Sequence, residues 1–258
     1  MFQSTERRSP HHITVCIFAY NRGELFRECV DSVLAQEGEG EVVVFDDGSE
    51  GKDRDLIYSY SPKCRFFEKE PTPTATSVQE GAKRIAEQRR KAIEYFMASG
   101  SDFVFLLDSD VILGPNVLRE ALQDYLYLED CSWARIGGLT LHAFAGMDGM
   151  IQVRDKVFSV VRLTGEAHML VHRKVFERIG NPFSPNIPGG YSDTYFRGVC
   201  KKGMCVYERT LPPYPVHHAV NSTIIHTTQE QQPVWVQRCY TSNWPKGLAP
   251  LWIRGLRF

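Results

Sequence analysis

Residues 102–110 read DFVFLLDSD, an apolar run that ends in two carboxylates one residue apart. A run of β-forming residues without helical spacing predicts a buried strand. Burying a carboxylate is costly without a partner, and hard carboxylate oxygens bind Mg²⁺ or Mn²⁺ well. Residues i and i+2 of a strand share a face, so Asp108 and Asp110 can reach one ligand. The run therefore predicts a cation site; a polar strand end before a turn at Gly114-Pro115 is the alternative.

A strand, a helix and a second strand precede this run. Residues 13–19 (ITVCIFA) and 41–45 (EVVVF) predict buried strands, and residues 24–36 between them carry apolar side chains at a helical period. A strand–helix–strand unit of this length implies parallel strands joined by a right-handed crossover. A long helix predicted over 77–99 then leads into the strand at 102–107. The fold class is therefore α/β.

The chain beyond Cys131 is less regular than the part before it. Further strands are predicted at 63–69, 136–144, 157–163 and 204–209, and further helices at 115–128, 173–180 and 192–202. The C-terminal stretch, 227–258, is irregular but contains three of the four tryptophans. It is too aromatic to be a disordered linker.

Composition and charge limit the classes of protein to which this chain could belong. The chain has 258 residues, 43% of them apolar, and a net charge of −1. This charge does not favour a nucleic-acid partner, although it does not exclude a local basic patch. Seven scattered cysteines without a C-x-x-C pair indicate reduced thiols and a cytoplasmic location. No signal peptide is evident and no run approaches the ~20 apolar residues of a membrane span, which leaves peripheral contact with a membrane open.

Polar residues follow three of the predicted strands: Tyr20-Asn21-Arg22, Asp46-Asp47 and Asp108-Ser109-Asp110. Because ligands bind at the carboxyl ends of parallel strands, these groups would share one crevice if the strands adjoin. An aromatic ring can stack on a base, a carboxylate can accept a ring N–H, and a cation can bridge a diphosphate. Neither G-x-x-x-x-G-K-[ST] nor G-x-G-x-x-G occurs. The pattern predicts a nucleoside-diphosphate site without a P-loop.

In their order and spacing, segments 13–36, 41–49 and 102–110 closely resemble the family 2 glycosyltransferases of the GT-A fold. That fold has a Rossmann-like, mostly parallel central sheet flanked by helices, with a smaller sheet on the acceptor side. The resemblance implies a nucleotide-sugar donor, favouring a UDP sugar. It also implies a divalent metal (Mn²⁺ or Mg²⁺) and inversion at the anomeric carbon. The acceptor would be a carbohydrate or another hydroxyl-bearing molecule.

The resemblance also implies a division of the chain. Residues 1–226 would form a single catalytic domain, with a nucleotide-sugar-binding half at 13–115 and an acceptor half at 116–226. The tail at 227–258 would pack on this domain or act as a lid.

The resemblance implies several donor-binding residues at or near the ends of the first two strands. Tyr20 matches the aromatic beside the base, Phe18 and Ala19 are its backbone neighbours, and Arg22 belongs to the same segment. Asp47 matches the carboxylate that accepts the uracil-type N–H. A turn held by side-chain hydrogen bonds is the alternative for this carboxylate.

On the third strand, Asp108 matches the acid that touches the ribose, Asp110 the metal ligand, and Ser109 lies between them in the donor site. Arg89 corresponds to an arginine that contacts the diphosphate or the base. Its alternative is a position on the basic face of the 77–99 helix, most of which we expect to be solvated. That face comprises Lys83, Arg84, Arg89, Arg90 and Lys91.

The resemblance places the catalytic base in the second half. Asp193 is the candidate general base, because inversion requires a carboxylate that takes the proton of the acceptor hydroxyl. The family's usual Glu before this Asp is Ser192 here, and a helix N-cap is the alternative role for Asp193. His218, favoured slightly over His217, is the candidate further metal ligand. A structural histidine is an equally good interpretation of His218.

Two other functions compete with the glycosyltransferase. A sugar-phosphate nucleotidyltransferase also uses a nucleotide-binding α/β sheet and Mg²⁺, but it begins with a Gly-rich loop that residues 19–23 (AYNRG) do not provide. A non-catalytic sugar-binding domain of the same fold is the third possibility. The presence of Asp108, Asp110 and Asp193 argues against it.

Overall fold

The computed structural model describes residues 11–38, 40–131, 135–141, 145–163, 168–183 and 198–218. Its helices are α1 (Gly23–Leu34), α2 (Gly51–Tyr58), α3 (Val78–Ser99), α4 (Val117–Asp130) and α5 (Arg173–Ile179). Its strands are β1 (Ile13–Ala19), β2 (Gly40–Asp46), β3 (Arg65–Phe67), β4 (Phe103–Asp108), β5 (Val111–Leu113), β6 (Ile136–Thr140), β7 (Ala145–Val153), β8 (Lys156–Leu163), β9 (His168–His172), β10 (Cys205–Leu211) and β11 (Val216–His218).

A nine-stranded sheet in the order β3-β2-β1-β4-β9-β6-β10-β8-β7 forms the centre of the fold. Strands β3, β2, β1 and β4 are parallel to one another, because helices connect them in sequence. Beyond β4 the sheet is mixed: β6 and β10 pair in parallel, whereas β9 is antiparallel to β4 and β6. The mostly parallel arrangement predicted from the sequence therefore holds for the β3–β4 half, and the α/β class is confirmed.

Strands β1 and β4 are buried on both faces and alternate between two cores. Val15 and Ile17 of β1 pack in the core formed with α1, α2 and α4, whereas Cys16 and Phe18 pack in the core formed with α3 and α5. Side chains of successive strand residues point to opposite faces, so an uninterrupted apolar run is what a central strand between two helical layers requires.

A second, two-stranded sheet consists of β5 and β11. Strand β5 begins one residue after Asp110, and β11 runs antiparallel to it with His218 opposite Val111. This small sheet carries the chain from the second half of the described fold back to the end of β4.

All the described elements lie in the first of the two units into which the chain divides, Met1–Ala219. The second unit, Val220–Phe258, is outside the described residues, as is most of the helix predicted at 192–202. No helix within the described ranges combines the length and the apolar character that crossing a bilayer demands.

Candidate functional site

The carboxyl ends of β1, β2 and β4 lie side by side, as the sequence predicted. Register pairs Ala19 with Asp46 across β1 and β2, and Phe18 with Asp108 across β1 and β4. The ladder continues past the strands, because the Asp47 amide donates to the Ala19 carbonyl at 2.9 Å and the Ser109 amide donates to the Phe18 carbonyl at 3.1 Å. The backbone of Phe18 and Ala19 therefore fixes both acidic segments at one edge of the sheet.

Asp46 closes the turn that ends β2. Its fully buried carboxylate accepts hydrogen bonds from the Ser49 amide at 3.0 Å, the Ser49 hydroxyl at 2.6 Å and the Tyr58 hydroxyl at 3.2 Å. Burial and then the neighbouring Asp46 carboxylate raise the pKa of Tyr58, so this phenol stays a donor. Asp46 thus has a structural role, which leaves the next residue to face the crevice.

Asp47 pairs with two cations. The Lys69 ammonium lies 2.9 Å from Oδ1, the Arg84 Nε donates to Oδ2, and an Arg84 terminal nitrogen donates to the Asp47 carbonyl at 3.1 Å. Burial alone lowers the pKa of Arg84, but its hydrogen bond and ion pair with Asp47 outweigh burial and raise this pKa. The carboxylate is 9% exposed, and it retains lone pairs for a further donor.

Tyr20 joins the same group through Arg84, whose guanidinium lies 4.6 Å from the centre of the Tyr20 ring. The Tyr20 hydroxyl donates to the Thr72 carbonyl at 2.9 Å, and a terminal nitrogen of Arg84 donates to the Pro73 carbonyl at 2.7 Å. We call Tyr20, Asp47, Lys69 and Arg84 the Asp47 cluster. These contacts attach the loop that precedes α3 to the ends of β1 and β2.

Each carboxylate of the Asp-x-Asp motif has an arginine beside it. An Arg89 terminal nitrogen lies 3.3 Å from Asp108 Oδ1, and its guanidinium lies 5.6 Å from the Phe18 ring. An Arg22 terminal nitrogen lies 3.4 Å from Asp110 Oδ2. The Ser109 residue between the two acids is buried. The edge of the sheet therefore holds cations and carboxylates in pairs, which avoids the cost of an isolated buried charge.

The end of β4 offers donors that suit a hard divalent cation. Asp108 and Asp110 supply carboxylate oxygens, and the register of β11 brings the backbone of His218 opposite Val111, next to Asp110. These residue types fit Mn²⁺ or Mg²⁺. Across the ranges that the structure describes, no three His, Cys, Asp or Glu side chains converge on one point.

Most of the basic face of the α3 helix lies at the surface, as expected: Lys83 and Lys91 are exposed and Arg90 is partly exposed, whereas Arg84 and Arg89 are exceptions. The side chains of Arg84 and Arg89 are 11% and 6% exposed, and both face the sheet edge. Arg84 lies at intervals of four from Gln88, Ala92 and Phe96, all buried against the sheet. That spacing was the available signal, because residues i and i+4 share a helix face.

Two predicted residues cannot be placed with the others. Asp193 lies outside the described residues, and only the backbone position of His218 is described. Lys69 and Arg84, by contrast, were not predicted as site residues. Lys69 had no sequence signal, since it follows the short edge strand β3 and meets Asp47 only through the pairing of β3 with β2.

A cavity of about 370 Å³ opens beside the Asp47 cluster. Aromatic rings from β2, β3 and α3 line it together with charged side chains. Among the lining residues are Phe45, Asp47, Phe67, Lys69, Gln88 and Tyr95. Eight of the eleven lining residues are polar or charged, a larger polar share than most small-molecule sites have.

Comparison with known proteins shows which proteins this chain resembles. Residues 14–136 match the family model described as "Glycosyl transferase family 2". An uncharacterized glycosyltransferase of Rickettsia felis is 36% identical over 182 residues, which are 65% of this chain and 28% of that protein. The chain thus spans less than a third of the length of this relative.

Two solved structures share the fold. The mannosyltransferase PcManGT of Pyrobaculum calidifontis, in complex with GDP-Man and Mn²⁺, is 17% identical with a TM-score of 0.51 over 78% of this chain and 57% of its own. S. aureus TarS is 14% identical with a TM-score of 0.50 over 76% of this chain and 36% of its own. At these identities the likeness concerns the fold, which is α/β of the GT-A type.

Proposed function

We propose that this chain, whose residues 14–136 match the glycosyl transferase family 2 model, transfers a sugar from a nucleoside-diphosphate sugar to an acceptor hydroxyl group. The observation that carries the proposal is the convergence of the β1, β2 and β4 ends, where an aromatic ring, three carboxylates and four cationic side chains meet. Most of these groups match a part of a nucleotide-sugar donor or of its cation, and the other two, Lys69 and Arg84, pair with Asp47.

The base would bind at the Asp47 cluster. The Asp47 carboxylate can accept a ring N–H, and Tyr20 offers the aromatic face that its neighbour Arg84 now covers. A carboxylate accepts the N–H of uracil and that of guanine alike. We favour a UDP sugar from the family resemblance, while the solved neighbour PcManGT holds GDP-Man. The experiment below therefore compares both nucleotides.

The diphosphate would lie over the end of β4. Arg22 and Arg89 flank the Asp-x-Asp motif there and can stabilise the negative charge of the departing nucleoside diphosphate. Asp108 would accept a hydrogen bond from a ribose hydroxyl, and Ser109, buried between the two acids, would belong to the donor site. Asp110 would hold Mn²⁺ or Mg²⁺, with His218 as the further ligand. A bound cation of this kind neutralises charge on the leaving group.

The acceptor hydroxyl would attack from the face opposite the diphosphate, which inverts the anomeric carbon. Asp193 is the proposed base that takes the hydroxyl proton. Residues 13–115 would bind the donor and residues 116–226 the acceptor, with 227–258 as the lid or a packed tail. We propose a carbohydrate or another hydroxyl-bearing acceptor rather than a nucleic acid, because the net charge of −1 gives no general attraction for a polyanion.

A thermal-shift experiment tests the donor site. We expect UDP or GDP at a hundred times its dissociation constant to add about 2.7 kcal/mol of stability, which corresponds to about 5–10 °C in Tm. The shift should require Mn²⁺ and should be lost in Asp110→Asn. The matched control is Asp55→Asn, which removes an exposed carboxylate of α2.

The outcomes separate the competing functions. A shift that survives Asp110→Asn would contradict the assigned cation site. Release of pyrophosphate from a nucleoside triphosphate and a sugar phosphate would identify a nucleotidyltransferase instead. Mn²⁺-dependent hydrolysis of the nucleotide sugar without an acceptor would exclude a non-catalytic sugar-binding domain.

A further inference from the structure

A buried charged cluster lies on the opposite face of the sheet from α3 and is not used by the proposed chemistry. Asp124 of α4 is fully buried and accepts from the Lys156 ammonium at 2.6 Å, an Arg209 terminal nitrogen at 3.1 Å and the Tyr214 hydroxyl at 2.7 Å. Arg209 also donates to Glu120 at 2.8 Å, and its guanidinium lies 3.8 Å from the Tyr214 ring centre. We call this group the Asp124 cluster.

Three segments that are far apart in the sequence each donate a hydrogen bond to the Asp124 carboxylate. Lys156 begins β8, Arg209 belongs to β10, and Tyr214 lies in the connection between β10 and β11. A buried carboxylate that loses one of its donors is strongly destabilised, so each of these segments is held at a defined distance from α4. Of the three donors, Tyr214 is the one that lies on an irregular segment.

Tyr214 lies two residues before β11, the strand that reaches the candidate cation site. Pro215 follows it, and the Pro215 carbonyl accepts from the Gly114 amide at 2.6 Å. A Cβ on Gly114 would meet that carbonyl oxygen at 2.5 Å, so only glycine permits this approach. The pairing of β11 with β5 then brings His218 opposite Val111, one residue beyond Asp110.

We propose that Tyr214 and Asp124 are positioning residues, which hold β11 against β5 and thereby set the affinity of the Asp110 end of β4 for a divalent cation. This inference rests on the proposed function, because it takes Asp110 and His218 as the cation ligands. Neither Tyr214 nor Asp124 would touch the donor or the cation. Their effect passes through the backbone of residues 215–218.

The test uses the full chain with Tyr214→Phe, which removes one hydroxyl and leaves Asp124 paired with Lys156 and Arg209. The control is Tyr60→Phe, which removes a tyrosine hydroxyl bonded to the exposed Asp31 at 2.9 Å on another part of the fold. Mn²⁺ binding is measured from the electron paramagnetic resonance signal of the unbound ion. Amide hydrogen exchange of residues 216–218 is measured without metal.

We expect Tyr214→Phe to speed exchange at β11 and to weaken Mn²⁺ binding by up to roughly tenfold, because removing a direct outer-shell partner of a metal ligand costs about 10–100-fold and Tyr214 acts less directly, through the backbone. Tyr60→Phe should change neither. Unchanged Mn²⁺ affinity or unchanged exchange in Tyr214→Phe, with normal Mn²⁺ binding by the wild type, would overturn this inference and leave the proposed function intact. A wild-type chain that binds no Mn²⁺ would instead overturn the assigned cation site and this inference with it.

Discussion

Replacing Arg84 by Gln is the most informative single perturbation of the Asp47 cluster. Arg84 donates to the Asp47 carboxylate, to the Asp47 carbonyl and to the Pro73 carbonyl, and it covers the Tyr20 ring. Gln is too short and carries no charge, so these contacts are lost together. Asp47 keeps Lys69 as a partner, which limits the damage to less than that of a carboxylate left alone.

The size of the effect follows from these contacts. A hydrogen bond to a charged group contributes about 1.5–3 kcal/mol, and an exposed or partly exposed cation–π contact about 0.5–1 kcal/mol. Because Arg84 is only 11% exposed, little solvent screening reduces these values. We expect Arg84→Gln to lower the free energy of unfolding by about 2–4 kcal/mol, which corresponds to roughly 4–16 °C in Tm for a chain of this size.

Urea unfolding at equilibrium measures the loss, with Arg90→Gln as the matched control. Arg90 lies on the same helix and pairs with Glu87 and Glu94, but these pairs are on the surface. Surface pairs contribute about 0–1 kcal/mol, so Arg90→Gln should change stability little. Equal losses in the two variants would refute the argument that burial of the Asp47–Arg84 pair, rather than helix charge, holds this part of the site.

Two further predictions concern other parts of the fold. Gly114→Ala should lose about 1–3 kcal/mol, because its methyl group would overlap Pro215, whereas Gly81→Ala in the α3 helix should be neutral or stabilising in the same denaturation assay. Burial lowers the pKa of His172, so the folded chain binds this proton more weakly than the unfolded chain. The contribution of His172 to the free energy of unfolding should therefore be fully present above pH 6.5 and should decrease as the pH falls from 6.5 through the lowered pKa. In His172→Asn, whose side chain can still accept from the Lys174 amide, Tm measured at a series of pH values should fall less over this range.

The central strands were predictable from sequence because they are buried on both sides. Strands β1 and β4 are apolar at all positions except Thr14 and the terminal Asp108, and such runs are visible without any knowledge of their partners. Helix α2 was missed because Ile57 is its one fully buried apolar residue, which leaves no helical period to detect. Strands β5 and β11 are three residues each and pair across about a hundred residues of sequence, so neither carries a local signal.

The candidate site was predictable to the extent that it lies on strand ends. Asp108 and Asp110 could be named because they end and follow a recognisable strand, whereas Asp47 was named from the family resemblance. The choice between Asp46 and Asp47 depends on the turn at Ser49. The Asp46 carboxylate accepts hydrogen bonds from Ser49 in that turn, whereas the Asp47 carboxylate faces the crevice. Lys69 could not be named, because its partner is set by the pairing of β3 with β2 and not by its neighbours in sequence.

The pairing of charges at this edge has a consequence for ligand binding. Asp108 and Asp110 each lie beside an arginine, and Asp47 lies beside two cations. A diphosphate alone would attract the arginines away from Asp108 and Asp110 and leave these carboxylates without their counter-charges. A cation alone would attract the carboxylates and leave the arginines without theirs.

A diphosphate and a cation bound together give both members of each pair a new partner. Binding of the two should therefore be mutually dependent, and linkage requires that each raise the affinity of the other by the same factor. Calorimetric titration of UDP with and without Mn²⁺, and of Mn²⁺ with and without UDP, measures both factors. Affinities that are independent of each other would show that the ion pairs at the end of β4 stay intact when the ligands bind.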